Sequence, residues 1–168
     1  MNQTLLMIFA LIFVCSVLYA MISDFSRMRI PNIVSIVLVI AFAVFAFLGG
    51  TGPVWPHLAL AGAIFLVLFA CFAMGWLGAG DVKLLSALML WAGPANGAVF
   101  AVLFAVFGGV FAAGLMGLRL TLPYFPILSE IPVMSKFSRW ARNGICPYGL
   151  PIGAAALCVA PSIFTAIH

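Results

Sequence analysis

Three acidic side chains serve a chain of 168 residues: Asp24, Asp81 and Glu130. Asp24 and Asp81 stand at the edges of long apolar stretches, where a carboxylate is costly and tends to be kept for a purpose. Asp81 lies in Gly78-Ala79-Gly80-Asp81-Val82-Lys83, after two glycines that permit a tight turn and leave space beside the carboxyl. Each acid also has an ordinary use. Asp81 could cap the apolar run that follows it or pair with Lys83, and Asp24 could pair with Arg27 or cap local backbone. Brought together, however, the two would do chemistry. Adjacent like charges cannot both ionise cheaply, so the pair can hold a single proton. The ionised member can then activate water while the protonated member donates a hydrogen bond to a carbonyl oxygen under attack. No nucleophilic Ser or Cys is needed, which suits a chain whose only histidines are His57 and His168.

The elements that must position these acids are membrane helices. The sequence is 67% hydrophobic and 6% charged, far too little charge to cover a soluble domain of this size. Several apolar runs reach spanning length, so the expected fold is an all-α polytopic membrane protein forming one domain over 1–168. The few basic residues lie between apolar runs, which argues against nucleic acid as a partner. The cysteines Cys15, Cys71, Cys146 and Cys158 form no C-x-x-C pair, so neither a zinc site nor any other cofactor is expected. Cys15, Cys71 and Cys158 fall inside apolar runs and read as small hydrophobes.

Six spans are expected. Thr4 to Ile22 is the first; it reads as retained, since Met1-Asn2-Gln3 lacks the basic residues of a signal peptide. Ile33 to Leu48 is the second, after Pro31, and His57 to about Trp76 the third. Val82 to Trp91 is a short fourth, separated from the fifth, Ala98 to Leu118, by an uncharged turn over Gly93-Pro94-Ala95-Asn96-Gly97. Gly109, Ala113 and Gly117 recur at i, i+4 and i+8 of the fifth span, a face suited to close helix packing. The connection over 119–148 is broken early by Pro123, Pro126 and Pro132. From Val133 to Asn143 it can form an amphipathic helix, with Lys136, Arg139 and Arg142 on one face and Val133, Met134, Phe137, Trp140 and Ala141 on the other, as for a helix lying among lipid headgroups. An ordinary solvated basic loop is the plainer reading of this short stretch. Gly149 to Ile167 is the sixth span.

Charge then sets orientation. Arg27, Arg29, Lys83, Arg119, Lys136, Arg139 and Arg142 all fall in the first, third and fifth connections, and the other connections and both tails have no Lys or Arg. The positive-inside rule makes the basic side cytoplasmic, with both termini on the other side. Asp24, ending the first span, and Asp81, beginning the fourth, then share the cytoplasmic face of the inner membrane.

These residues carry a resemblance. Gly78-Ala79-Gly80-Asp81 resembles the GxGD motif of intramembrane aspartyl proteases. Asp24 followed by Ile30-Pro31-Asn32, and Pro147-Tyr148-Gly149 before the last span, resemble the type IV prepilin peptidase family over nearly the whole chain. The resemblance implies a catalytic pair of Asp24 and Asp81. It also implies a prepilin or pseudopilin substrate with a short basic leader, ending in glycine, before an apolar helix. Gly78, Gly80 and Lys83 are the expected substrate contacts. Long members of the family have a cytoplasmic insertion with paired C-x-x-C zinc ligands and N-methyltransferase activity. Here about ten residues join the first two spans and no C-x-x-C exists. The chain is similar to the short stand-alone forms serving tight-adherence (Flp-type) pili, for which no methylation is expected. Two rival classes remain open from sequence: a small proton-coupled transporter using the same carboxylates, and a non-catalytic subunit of a secretion or pilus assembly machine.

Overall fold

The computed structural model describes residues 2–122, 124, 132–143 and 146–165, the side chains of 132–134, 141 and 143 excepted. Pro123, Pro126 and Glu130, the side chains of Val133, Met134 and Ala141, and the expected end of the sixth span at Ile167 fall outside this description. Six helices account for almost all of the rest: α1 (Gln3–Arg27), α2 (Asn32–Phe47), α3 (Val54–Ala73), α4 (Ala79–Thr121), α5 (Pro132–Asn143) and α6 (Gly149–Thr165). α1, α3 and α4 are long and apolar enough to cross a membrane, and α2 and α6 are shorter apolar helices. Met7, Leu11, Leu66 and Val110 point outward, a surface that suits lipid rather than water.

α4 contains 43 residues and would run about 65 Å if straight, roughly twice the hydrocarbon thickness of a bilayer. It is broken at Gly93, whose φ of 59° and ψ of −171° are not helical. The expected turn over 93–97 is therefore a single residue, because Pro94 sits at the first position of the next helical stretch, where its missing N–H and fixed φ cost nothing. Pro94 also leaves the Leu90 carbonyl, four residues back, without its helical donor. His57 of α3 supplies one: its Nδ1 lies 2.9 Å from Leu90 O, so Nδ1 carries the proton. A Cβ on Gly93 would strike the same imidazole.

The two arms of α4, 79–92 and 94–121, run in opposite directions. Gly80 lies against Ile30, just beyond the end of α1, and the far end of the second arm shares a cavity with Phe137 of α5, which packs on Phe25 of α1. Gly93 lies at the other end of the bundle, beside a core of Phe13, Phe42, Phe45, Trp91 and Phe164 in mostly edge-to-face contact. Trp91 satisfies its indole there, Nε1 donating to Leu38 O at 2.9 Å.

Two helix boundaries differ from expectation in ways that matter. α1 continues five residues past Ile22, so Asp24 is helical, in the last turn, and buried. α3 begins at Val54 and stops at Ala73, leaving a connection with Gly75 in the left-handed region (φ 76°) before α4. The small-residue face of Gly109, Ala113 and Gly117 is exposed, with nothing near Gly109 or Gly117, so the close packing expected of it does not occur among the described residues.

Candidate active site

The site begins with the way α1 stops. Met28 takes a left-handed conformation (φ 52°) and its N–H bonds to Asp24 O at 2.8 Å, closing the last turn. Ser23 Oγ donates to Arg29 O at 2.8 Å and folds the following segment back onto that turn. Asp24 therefore sits on a backbone fixed from both sides. Its side chain is only 6% exposed, and Oδ2 accepts the Gly149 backbone N–H at 2.8 Å. Gly149 opens α6, so this N–H is one of the unpaired donors at the positive end of a helix, well suited to a carboxylate. A Cβ on Gly149 would lie 2.7 Å from both Cβ and Oδ2 of Asp24; glycine makes the approach possible.

Asp81 is held by the same device at another helix start. Gly78 is the N-cap of α4 and Asp81 the third helical residue, reaching back so that Oδ2 accepts the Gly78 N–H at 3.3 Å. Asp81 is thus not the N-cap itself. It is half-buried, and the Asp24 carboxylate is among the charges that act on it. Two carboxylates from different helices lie within electrostatic reach of each other at one end of the bundle, each with one oxygen tied to a backbone amide of a helix N-terminus.

Cys146, three residues before Gly149, lies within electrostatic reach of both acids. Its thiol is pushed up from the ordinary cysteine value, chiefly by burial and then by Asp24 and Asp81. The Tyr148 hydroxyl is pushed up too, by burial first and then by Cys146 and Asp81.

The remaining expected contacts are distributed differently. Gly78 is exposed beside Asp81, but the open side of Gly80 is filled: a Cβ there would lie 3.2 Å from Ile30 Cβ. Lys83 is turned away from Asp81, and its Nζ donates to Asn32 Oδ1 at 3.1 Å. That bond joins the start of α2 to the start of α4, hence the Asp24 motif to the Asp81 motif. α5 forms as an amphipathic helix, yet Lys136 is not on a shared exposed face with Arg139 and Arg142. Its Nζ lies 4.5 Å from the centroid of the Phe25 ring and 3.5 Å from Phe25 O, while Phe137 and Trp140 pack on the same ring. α5 is therefore clamped to the turn that carries Asp24. Among the described residues no three His, Cys, Asp or Glu side chains group to hold a metal ion.

The model of the type IV leader peptidase family matches residues 11–118, which include Asp24, Asp81 and the stretch from Gly78 to Lys83. The chain belongs to this family, and is accordingly an aspartic-type peptidase of the membrane. No curated protein and no solved structure matches it. Cys146, Tyr148 and Gly149 lie beyond the matched stretch.

Proposed function

We propose that this protein is an endopeptidase that removes the short basic leader of prepilin or pseudopilin precursors at the cytoplasmic face of the inner membrane, with Asp24 and Asp81 as its catalytic pair. One observation carries the reading: two carboxylates from separate helices lie within electrostatic reach of each other at one end of an apolar bundle, each oriented through an amide, with no ion pair to either among the described residues. With one proton between them, the ionised carboxylate takes a proton from water as that water attacks the scissile carbonyl. The protonated carboxylate donates to the developing oxyanion, and the leaving nitrogen receives a proton as the tetrahedral intermediate collapses. Gly78, exposed beside Asp81, and Lys83, exposed and bonded to Asn32, are the proposed contacts for an extended substrate; Gly80 serves by admitting Ile30.

The six antiparallel passes of the bundle support six spans, with 79–92 and 94–121 as the fourth and fifth. In that arrangement every Lys and Arg falls on the side of the two aspartates, which makes that side cytoplasmic and puts both termini opposite. The bilayer and the precursor are the proposed partners, with no nucleic acid and no cofactor. The absence of C-x-x-C and the short link between α1 and α2 favour a peptidase without methyltransferase activity, of the kind serving tight-adherence pili.

The test is co-expression with candidate pilin precursors, followed by mass spectrometry of their N-termini. Removal of the leader at its terminal glycine, with an unmethylated new N-terminus, is the expected result. Unprocessed precursors throughout would refute the reading, and would favour a carrier or an assembly subunit.

A further inference from the structure

α2 and α3 both pack on α4, and they meet each other where the Phe42 and His57 rings approach at 5.5 Å. Toward Asp81 they part, leaving a lateral groove of about 650 Å³. Each helix presents one face to it. α2 gives Asn32, Ser35, Ile36, Val39 and Ile40; α3 gives Leu58, Ala61, Gly62 and Phe65; α4 gives Lys83, Ser86, Ala87 and Leu90. These are i, i+3, i+4 and i+7 positions, so the groove runs along the helices for about two turns, roughly 10 Å.

We propose that this groove seats the apolar helix of the precursor substrate and delivers the chain at its leader end to Asp81. The proposal rests on the peptidase reading above. The floor is made of small residues, Ala61, Gly62 and Ala87, between ridges of Ile36, Ile40, Leu58 and Phe65, which lets another backbone come close. A Cβ on Gly62 would meet nothing within 4 Å, so none of the described residues uses that space. Ser35 lines the groove, is 8% exposed, and its hydroxyl has no hydrogen-bond partner. At the Asp81 end of the groove Asn32 and Lys83 carry polar groups that a peptide can meet and a lipid acyl chain cannot. The polar end of the groove is continuous with the candidate active site. Lys83 is two residues from Asp81, and its bond to Asn32 uses one of three ammonium donors, leaving two for carbonyl groups of a chain leaving the groove.

The experiment compares two substrates: the full precursor, and a soluble peptide spanning only the leader and the cleavage junction. Gly62→Phe fills the groove without entering the core. It should lower the precursor-to-peptide ratio of kcat/KM by about tenfold, mainly through KM on the precursor. Val102→Phe, on an outward-facing position of the second arm of α4, is the matched control and should leave the ratio unchanged. An unchanged ratio in Gly62→Phe overturns the inference, whether activity is intact or both substrates fall together. Independently of cleavage, a photo-crosslinking residue at Val39 or Phe65 should capture the apolar segment of the precursor. Capture of lipid or of a second copy of this chain alone would overturn the groove assignment. Failure of the unsubstituted protein to cut either substrate would instead sink the peptidase reading, with the crosslinks still deciding what the groove holds.

Discussion

Gly149 gives its backbone N–H to Asp24 Oδ2 at 2.8 Å, joining the start of α6 to the last turn of α1 across 125 residues of chain. A glycine that in sequence belongs to a motif before the last span is here the partner of a buried acid. Replacing it is a sharper test of the site than replacing the acid. Gly149→Ala would press a methyl to 2.7 Å from the carboxyl, and overpacking of this kind costs about 1–3 kcal/mol. The prediction is a folded, inserted protein whose kcat falls by about 10²-fold as Asp24 is pushed out of line. Thermal melting in detergent, measured beside cleavage, separates the two effects; full activity in Gly149→Ala would remove Gly149 from the site.

Asp24→Asn and Asp81→Asn each keep shape and lose ionisation. Either alone should abolish cleavage while leaving membrane insertion intact. The double substitution should be little worse than either single one, because groups acting as a unit are strongly non-additive. A folded single variant that cuts at the normal rate would exclude the paired mechanism.

Cys146 offers a reading of the charge on the pair. Burial raises its thiol and the two carboxylates raise it further, so the reactive thiolate is scarce at pH 8. Neutralising an acid removes one of the raising charges and moves the thiol back down, which increases the thiolate fraction. With Cys15, Cys71 and Cys158 replaced by serine, iodoacetamide should therefore modify Cys146 faster in Asp24→Asn and Asp81→Asn than in their parent. Equal rates across all three would mean that the thiol does not sense the acids.

The docking of α5 separates two kinds of basic residue. Trp140 is 6% exposed against Phe25, and its truncation to alanine should cost about 3–5 kcal/mol of local packing. Hydrogen exchange over 132–143 should then quicken and cleavage should fall, since Phe25 adjoins Asp24. Arg139 and Arg142 are exposed, and Arg139→Gln with Arg142→Gln should instead weaken attachment to anionic lipid by about 1 kcal/mol per charge. Protection of α5 that differs between anionic and neutral nanodiscs, and loses that difference in the double variant, is the expected outcome.

Cleavage should persist in the presence of EDTA, because the carboxylate pair is oriented by amides and the described residues present no cluster of metal-ligand type. Inhibition by EDTA that zinc reverses would contradict this.

The helical fold and the family are legible in the sequence because both rest on local signals: apolar runs, scarce charge, and motifs within ten residues of Asp24 and Asp81. What stayed hidden depends on tertiary contact. Helical spacing puts Lys136 with Arg139 and Arg142, but the Phe25 ring, more than a hundred residues earlier, takes Lys136 for itself. α1 runs past its expected end at Ile22 because Met28, not a glycine, adopts the left-handed turn that stops it. Gly93-Pro94 announced a break, but nothing local says that His57 would bond the carbonyl the proline leaves. Pro147-Tyr148-Gly149 was visible as a motif, and its work for Asp24 was not.

The Asp24–Gly149 bond also fixes a chronology. At about 5–20 residues per second, the ribosome makes Asp24 some 6–25 s before it makes Gly149. During that interval α1 through α4 can insert with their acids in place, but one carboxylate lacks the amide that orients it. α6 is thus the element whose arrival completes the hydrogen bonding of Asp24.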